Sequence, residues 1–290
     1  MAVPFRIAVF SDEVSQDLDR IVQVCKDYAL PGIELRSIFD TPPQSLSAEQ
    51  IETIRKRLDG EGLSVCCISS PFYKCRIDSP EEIAAHHDIL RRSIDLAHAL
   101  DAPIVRGFTF WRDGAFDDAR LNRVLDLYET PLAILESMDG SLGIENEGST
   151  STGTGAEVSR FLDALGHPRV DSIWDCGNHV AMPGAGPGFP EDFEAQKPWM
   201  AHIHIKDGVA DSDGKFHFVR LGDGQSRVRQ LLTALAGEGY DGWISLETHW
   251  RPAALSEEEM NRPGGSSFSQ DGEFASRACL DAMKSWLNAM

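Results

Sequence analysis

The sequence has few of the features that would place the chain in a membrane or cross-link it. No apolar run approaches the roughly 20 residues of a membrane-spanning helix, although 42% of the 290 residues are hydrophobic. The six cysteines form no CxxC pair, so we expect reduced thiols rather than a disulfide scaffold. The opening segment MAVPFRIAVF lacks a basic leader and a small-residue cleavage site, so we expect a cytoplasmic protein.

Positive charge is also scarce. The chain has 27 basic and 46 acidic residues, which give a net charge of -19 at pH 7. This charge would repel a phosphate backbone over most of the surface, so we expect no nucleic-acid partner. The glycine-rich dinucleotide fingerprint is missing too, because FSDEVSQ follows the first predicted strand in its place.

Short β-rich runs alternate with helical patterns along the whole chain, and we count eight such units. A serine or threonine followed three residues later by Glu or Gln predicts capped helix starts at Ser47, Ser79 and Thr154. The predicted strands span residues 4–10, 32–36, 63–69, 103–108, 142–146, 170–175, 201–206 and 242–247.

Eight strand-then-helix units predict a parallel sheet closed on itself, because right-handed crossovers place every helix outside the sheet. We therefore predict an α/β fold, a single (β/α)8 TIM barrel domain over residues 1–290. A doubly wound open sheet is the alternative, and the missing fingerprint disfavours it. Two long connections, 208–225 and 250–269, are expected on the carboxyl-terminal face, where loops build sites.

Four consecutive predicted strands end in residues that can bind a metal, namely Glu145, Asp175, His204 and Glu247. Any one of them would ordinarily be a paired or solvated structural residue. Together they would crowd three carboxylates, which a divalent cation would neutralise. Three oxygen ligands and one imidazole favour a hard or borderline ion, Mn²⁺ first, with Mg²⁺, Co²⁺ and Zn²⁺ as alternatives.

Alternation along the seventh strand orders three side chains by depth. His202 is expected to support the metal from below, and His204 is the expected ligand. Lys206 would lie at the mouth, where it could stabilise an oxyanion or form an ordinary salt bridge.

The second, fourth and fifth strands supply further inward-facing charges. Glu34 and Arg36 alternate inward on the second strand, and we expect a buried ion pair for Glu34. Arg106 on the fourth strand and Glu147, one pleat beyond Glu145, are candidates for contact with a substrate.

The segments IENEG, WDCGN, HIHIKD and GYDGWISLE together resemble the xylose isomerase-like barrel superfamily of sugar isomerases and epimerases. The likeness covers nearly the whole chain. It implies that Glu145, Asp175, His204 and Glu247 hold one metal, and that the two glutamates are also the catalytic acid and base. The implied reaction is isomerisation or epimerisation of a small keto-sugar or polyol ketone through a metal-bound enediolate.

Two departures from the family pattern bear on function. Members often carry a substrate-contacting histidine three residues after the aspartate ligand, where this chain has Asn178 followed by His179, so both are candidates for substrate binding. The related abasic-site endonucleases need extra histidines at the ends of the third and fourth strands. This chain has Ser69, Ser70 and Arg106 there, so we expect no nuclease activity.

Two other classes of function remain open. The runner-up is a metal-dependent lyase resembling inosose dehydratase, whose general acid could be His179, His217 or His249. A non-catalytic sugar-binding barrel ranks last, because all four ligand types are intact. The sequence is compatible with a homo-oligomer and does not select the sugar or the stereochemistry.

Overall fold

A computed structural model of the protein describes residues 3–211, 215–253 and 264–290. Eight parallel strands close into a barrel, as the sequence predicts, and the strand Trp243–Leu246 completes it by pairing with both Met200–Ile205 and Arg6–Phe10. The strands, in chain order, are β1 (Arg6–Phe10), β2 (Gly32–Leu35), β3 (Ser64–Phe72), β4 (Ile104–Gly107), β5 (Ser141–Glu145), β6 (Val170–Asp175), β7 (Met200–Ile205), β8 (Asp207–Ala210), β9 (Phe216–Val219) and β10 (Trp243–Leu246). Strands β8 and β9 form a separate antiparallel hairpin.

Helices follow the barrel strands and pack around the outside. Those within the described residues are α1 (Ser11–Val14), α2 (Leu18–Tyr28), α3 (Ala48–Asp59), α4 (Pro80–Ala99), α5 (Asp118–Leu135), α6 (Gly155–Leu165), α7 (Cys176–Ala181), α8 (Glu191–Gln196), α9 (Val228–Glu238), α10 (Gly265–Phe268) and α11 (Gly272–Asn288). Short 3₁₀ turns occupy Pro43–Ser45 and Lys197–Trp199.

The predicted caps define where three helices begin. Ser47 and Thr154 each form the complete reciprocal capping box. Ser79 also caps its helix, accepting a hydrogen bond from the Glu82 backbone at 3.4 Å. The Glu82 carboxylate, however, accepts from the backbone and side chain of Arg76, each at 2.8 Å, so this box is only half formed.

The apolar core has two parts, as a barrel requires. A small cluster fills the lower interior of the barrel and consists of Ala8, Cys66, Cys67, Ile104, Ile173 and Trp243. A larger cluster lies between the strands and the helices and includes the outward-facing Ile144 and Trp174. All six cysteines are free and buried, which confirms that they form no disulfide scaffold.

Described parts of the two long connections lie near the carboxyl-terminal ends of the barrel strands. The first contains the β8–β9 hairpin, and Asp207 anchors it by accepting backbone hydrogen bonds from Gly222, Gly224 and Ser226 at 2.9–3.0 Å. Residues 212–214 of the first connection and 254–263 of the second lie outside the described residues. In the part of the chain that is described, no helix is long and apolar enough to cross a membrane.

Two helical glycines provide a test of how tightly the outer layer packs. A Cβ at Gly155 would lie 2.1 Å from the backbone oxygen of Asp192, whereas a Cβ at Gly237 would meet nothing within 4 Å. We expect Gly155→Ala to destabilise the fold by about 1–3 kcal/mol through overpacking. Gly237→Ala should stabilise it by about 0.5–1 kcal/mol. Urea unfolding midpoints measure both shifts, and equal shifts for the two variants would contradict the packing described here.

Candidate active site

Four residues at the ends of consecutive barrel strands converge on one point. Glu145, Asp175 and His204 end or nearly end β5, β6 and β7, and Glu247 follows β10. One ligand atom from each lies within 4.8 Å of the others. All four are at most 2% exposed. The structure therefore brings together the set predicted from the sequence.

Asp175 has one carboxylate oxygen in a hydrogen bond and one beside a buried cation. Its Oδ1 accepts from the Asn178 backbone at 2.7 Å and so caps α7. The side chain of Asn146 holds the Asp175 backbone from both sides, donating to its oxygen at 2.8 Å and accepting from its nitrogen at 2.7 Å. The buried Oδ2 accepts no aligned hydrogen bond from the described residues, and the Lys206 ammonium lies 3.1 Å from it as an ion-pair partner. Such an oxygen is the kind of atom a cation would satisfy.

Glu145 is held as an ionised carboxylate. Arg106 Nη1 lies 3.0 Å from its Oε2, and Asn178 Nδ2 donates to its Oε1 at 3.0 Å. The Nδ1 of His204 lies 3.1 Å from the same Oε1. Burial by itself would raise the pKa of Glu145, but Arg106 and His204 lower that pKa to about 2.

Glu247 lies between two cations. One carboxylate oxygen contacts Arg36 and the other contacts Lys206. These groups, together with His249, hold the pKa of Glu247 well below its usual range despite burial. Lys206 lies deeper than predicted: it is 3% exposed, and its Nζ is 3.1 Å from Asp175 Oδ2.

A glycine makes room for that lysine. A Cβ at Gly177 would lie 2.3 Å from Lys206 Cγ, so only glycine lets the lysine stem pass beside α7. The pairing of Asp175 with Lys206 thus depends on the small residue in the WDCGN segment.

Glu34, which we expected in a buried ion pair, orients His204, the predicted metal ligand. Glu34 is fully buried, and both of its oxygens lie 3.1 Å from His204 Nε2. Glu34 also lies 2.8 Å from His202 Nε2, and Ser245 lies 3.0 Å from the same nitrogen. His202 is thus a supporting ring below His204, as expected. The pairing of Glu34 is with the two histidines rather than with Arg36.

This contact settles how His204 faces the cluster. With Nε2 directed at Glu34, its Nδ1 faces Glu145 and lies 3.9 Å from Asp175 Oδ2. Burial would lower the pKa of His204, but the carboxylates of Glu34 and Glu145 raise it to about 10. Inward alternation of Glu34 on β2 was the signal that could have identified this role from the sequence.

Arg36 is the second group whose role the sequence left undefined. Its guanidinium lies 3.0 Å from Asp12 and 2.7 Å from Glu13, in addition to its contact with Glu247. Burial would lower the pKa of Arg36, but these carboxylates raise it above its usual range. Arg36 therefore fixes the position of Glu247.

The chemistry of the four converging residues fits a divalent cation. Three carboxylates and one imidazole are ligands suited to Mn²⁺, Mg²⁺ or a related ion, and one oxygen of Asp175 is held only by its ion pair with Lys206. Two neighbouring groups, Glu34 with both histidines and Glu13 with Glu247 and His249, share members with this set. The donor set does not determine which ion binds.

A cavity of about 1490 Å³ opens above the four residues. Of the residues predicted to contact substrate, four line it: Arg106, Glu147, Asn178 and Lys206. Sequence reasoning missed Lys74, which also lines the cavity and whose Nζ lies 3.0 Å from Glu147 Oε2.

The three histidines considered as general acids lie in different places. His179 is not among the residues that line the cavity; its buried ring packs beside Trp174, and its Nε2 lies 3.0 Å from Asp192. His217 lines the cavity from the β8–β9 hairpin and is exposed. His249 lines it beside Glu247, with its Nδ1 3.6 Å from Glu247 and 2.8 Å from Glu13.

The structure is thus a closed α/β barrel with a cluster of three carboxylates and one histidine at the carboxyl-terminal ends of its strands. The chain belongs to the xylose isomerase-like TIM barrel family, whose sequence profile matches residues 22–266. The comparison confirms the resemblance seen in the sequence.

Known proteins of this kind include a dehydratase and an epimerase. The inosose dehydratase of Lacticaseibacillus casei is 30% identical over 118 residues, a match that covers 36% of this chain and 39% of that protein. D-allulose 3-epimerase from Methylomonas sp., solved in complex with D-allulose, superposes with a TM-score of 0.71 at 15% identity over 98% of this chain and 99% of that chain. A xylose isomerase-like barrel protein from Mycobacterium smegmatis, solved in complex with magnesium, superposes with a TM-score of 0.64 at 21% identity over 98% of each chain. At these identities the solved structures show a shared fold.

The contact between Glu34 and His204 predicts the effect of one substitution. We expect Glu34→Gln to lower affinity for Mn²⁺ about 10- to 100-fold, because a glutamine no longer orients the imidazole by charge. Calorimetric titration of metal into the stripped protein measures the change. Glu129→Gln, at an exposed position on α5, is the matched control. Unchanged affinity in a correctly folded Glu34→Gln variant would contradict the orienting role.

Proposed function

We propose that the protein is a divalent-metal-dependent isomerase or epimerase that acts on a small keto-sugar or polyol ketone. The observation that supports this most directly is the placement of Glu145 and Glu247. The two glutamates reach the same centre from strands separated in the barrel by β6 and β7, and both have lowered pKa values. They are therefore two ionised carboxylates on different sides of one site.

Glu145, Asp175, His204 and Glu247 are the residues that would hold the metal, and Mn²⁺ is the ion we favour. A bound divalent ion supplies Lewis acidity, which lowers the cost of forming an enediolate from a ketone with a neighbouring hydroxyl. The family relationship and the magnesium complex of a relative with the same fold support this assignment.

The side chains of the site would transfer the protons and stabilise the charges that develop. One glutamate accepts the proton from the carbon next to the ketone. The other glutamate takes up a proton from water and delivers it to the same carbon from the opposite face, which gives an epimer, or to the former ketone carbon, which gives an isomer once a proton has moved from the neighbouring hydroxyl to the ketone oxygen. The first glutamate then releases its proton to water. Lys206 and Arg106 keep both glutamates ionised and place positive charge where an oxyanion develops.

The walls of the cavity would orient the substrate. Asn178 shares its amide between Glu145 and the backbone oxygen of Asn146, which fixes both partners. Lys74 and Glu147 form a second polar pair that can bind substrate hydroxyls. Trp111 and Phe218 also line the cavity and can pack against a sugar face.

A dehydratase is the second candidate, and a specific observation favours it. His249 lies in the cavity beside Glu247, where a protonated imidazole could give its proton to a departing hydroxyl. The local similarity to inosose dehydratase agrees with this alternative. Of His179, His217 and His249, only His249 lies beside Glu247.

Incubation in deuterated water separates the two reactions. The Mn²⁺-loaded protein is mixed with a panel of ketoses and inososes, and each product is analysed by mass spectrometry. Carbon-bound deuterium without loss of mass supports isomerisation or epimerisation, whereas loss of water supports the dehydratase. Removal of the metal with a chelator should abolish either reaction, and re-addition of Mn²⁺ should restore it. Full activity in the chelated protein would contradict the proposal.

Substitution of the two glutamates tests their part in proton transfer. We expect Glu145→Gln and Glu247→Gln each to reduce deuterium incorporation by about 10²- to 10⁴-fold, since an amide cannot accept the carbon-bound proton. Metal content, measured in parallel, distinguishes loss of the base from loss of the ligand. Glu129→Gln again serves as the control. Full turnover and full metal content in both variants would show that the site is assigned wrongly.

A further inference from the structure

The cavity extends well beyond the four converging residues, out to the side of helix α4. Glu82, His86 and Ile89 line it, and they lie at i, i+4 and i+7 on one stripe of that helix. At 1.5 Å rise per residue, this stripe is about 10 Å long. The cavity therefore continues radially from the barrel centre along the outside of the strand ends.

This outer part of the cavity, which we call the distal lobe, is lined by Pro42, Pro43, Pro71, Cys75, His86 and Ile89. The prolines belong to the segments that follow β2 and end β3. The three prolines, Cys75 and Ile89 give it apolar walls, and the charged Glu82 and Asp40 line the cavity beside them; apolar walls with a few polar groups are typical of sites that bind small molecules.

His86 supplies the lobe with one hydrogen-bond donor of defined direction. Its Nδ1 accepts from the Tyr73 backbone at 2.8 Å, so the ring proton must be on Nε2. Within the described residues the hydrogen bond of His86 is the one at its Nδ1, which leaves Nε2 to face the lobe as a donor. Burial lowers the pKa of His86 to about 4, which keeps the ring neutral near pH 7.

The charges around the lobe disfavour an anionic ligand there. Glu82 and Asp40 both line the cavity on this side, and each is already engaged, with Arg76 and Ser266 respectively. Lys74, a cation that also lines the cavity, is paired with Glu147. These charges therefore favour binding of an uncharged polar group over binding of a phosphate.

The volume of the cavity points to a substrate larger than one sugar ring. At about 1490 Å³ it exceeds the roughly 300–1,000 Å³ of sites that bury a drug-sized ligand. A free hexose is smaller than such a ligand, so a hexose placed at Glu145 and Glu247 would leave the distal lobe without a contact.

We propose that the distal lobe binds a second, uncharged sugar ring joined to the keto-sugar ring that reacts at Glu145 and Glu247. The Nε2 of His86 donates a hydrogen bond to a hydroxyl of this second ring. The proposal rests on the proposed function for the position of the reacting ring. The substrate class is then a keto-sugar in a glycosidic linkage rather than a free or phosphorylated monosaccharide.

Binding of four compounds to the Mg²⁺-loaded protein tests the proposal without requiring turnover. The probes are D-fructose, D-fructose 6-phosphate, isomaltulose, which carries glucose on O6 of fructose, and lactulose, which carries galactose on O4. We expect at least one disaccharide to bind at least tenfold more tightly than fructose, with saturation transfer from the protein to its second ring in nuclear magnetic resonance spectra. Equal affinities for fructose and both disaccharides, no binding of either disaccharide, or tighter binding of the phosphate than of both disaccharides would overturn the proposal.

A substitution at His86 identifies the donor. In His86→Asn the amide oxygen can still accept from the Tyr73 backbone, but the donor at Nε2 is lost. We expect the ratio of disaccharide to fructose affinity to fall at least threefold, and saturation transfer to the second ring to weaken. His98→Asn, at an exposed position on the same helix, is the matched control and should leave the ratio unchanged. An unchanged ratio in His86→Asn would overturn the role of His86.

Solvent exchange distinguishes failure of this inference from failure of the proposed function. Tight disaccharide binding with contact to the second ring, but no deuterium incorporation into any sugar, would contradict the proposed function and leave the distal lobe as a sugar site. Deuterium incorporation into fructose, with no preference for either disaccharide, would support the enzyme and overturn the distal lobe.

Discussion

Compensation of buried negative charge is the constraint on which the centre of this barrel depends. Glu34, Glu145, Asp175 and Glu247 are almost fully removed from water, where an uncompensated carboxylate is very costly. Four basic side chains offset this cost, and each contacts at least one of the four carboxylates: Arg36, Arg106, His204 and Lys206. The cations therefore determine where each carboxylate lies, and with it the shape of the site.

Layering within the barrel places these charges at successive depths. Apolar residues such as Ile104 and Ile173 fill the bottom of the interior, and the Glu34–His202 contact lies on top of them. The four converging residues form the next layer, and the cavity opens above it. The closed sheet holds the side chains at the centre in fixed positions, whereas the loops above it can differ in length and sequence.

Strand periodicity was enough to predict much of this arrangement. The barrel, the convergence of Glu145, Asp175, His204 and Glu247, and the supporting place of His202 all follow from alternation and from the order of the strands. Pairings between distant strands were harder to predict, because a single sequence does not show which cation faces which carboxylate. Arg36 is one example, since its partners Asp12, Glu13 and Glu247 come from two other parts of the chain. His179 is another, because a short helix turns its ring away from the cavity.

Asp175 connects the local folding of the chain with its chemistry. One oxygen begins helix α7 by accepting from Asn178, and the other faces the centre of the site. The same helix carries Asn178 against Glu145 and gives Lys206 its passage beside Gly177. Exchange of Asp175 for another residue would thus alter the start of a helix and the positions of two neighbouring side chains at once. In this fold Asp175 is therefore constrained both by the start of α7 and by the centre of the site.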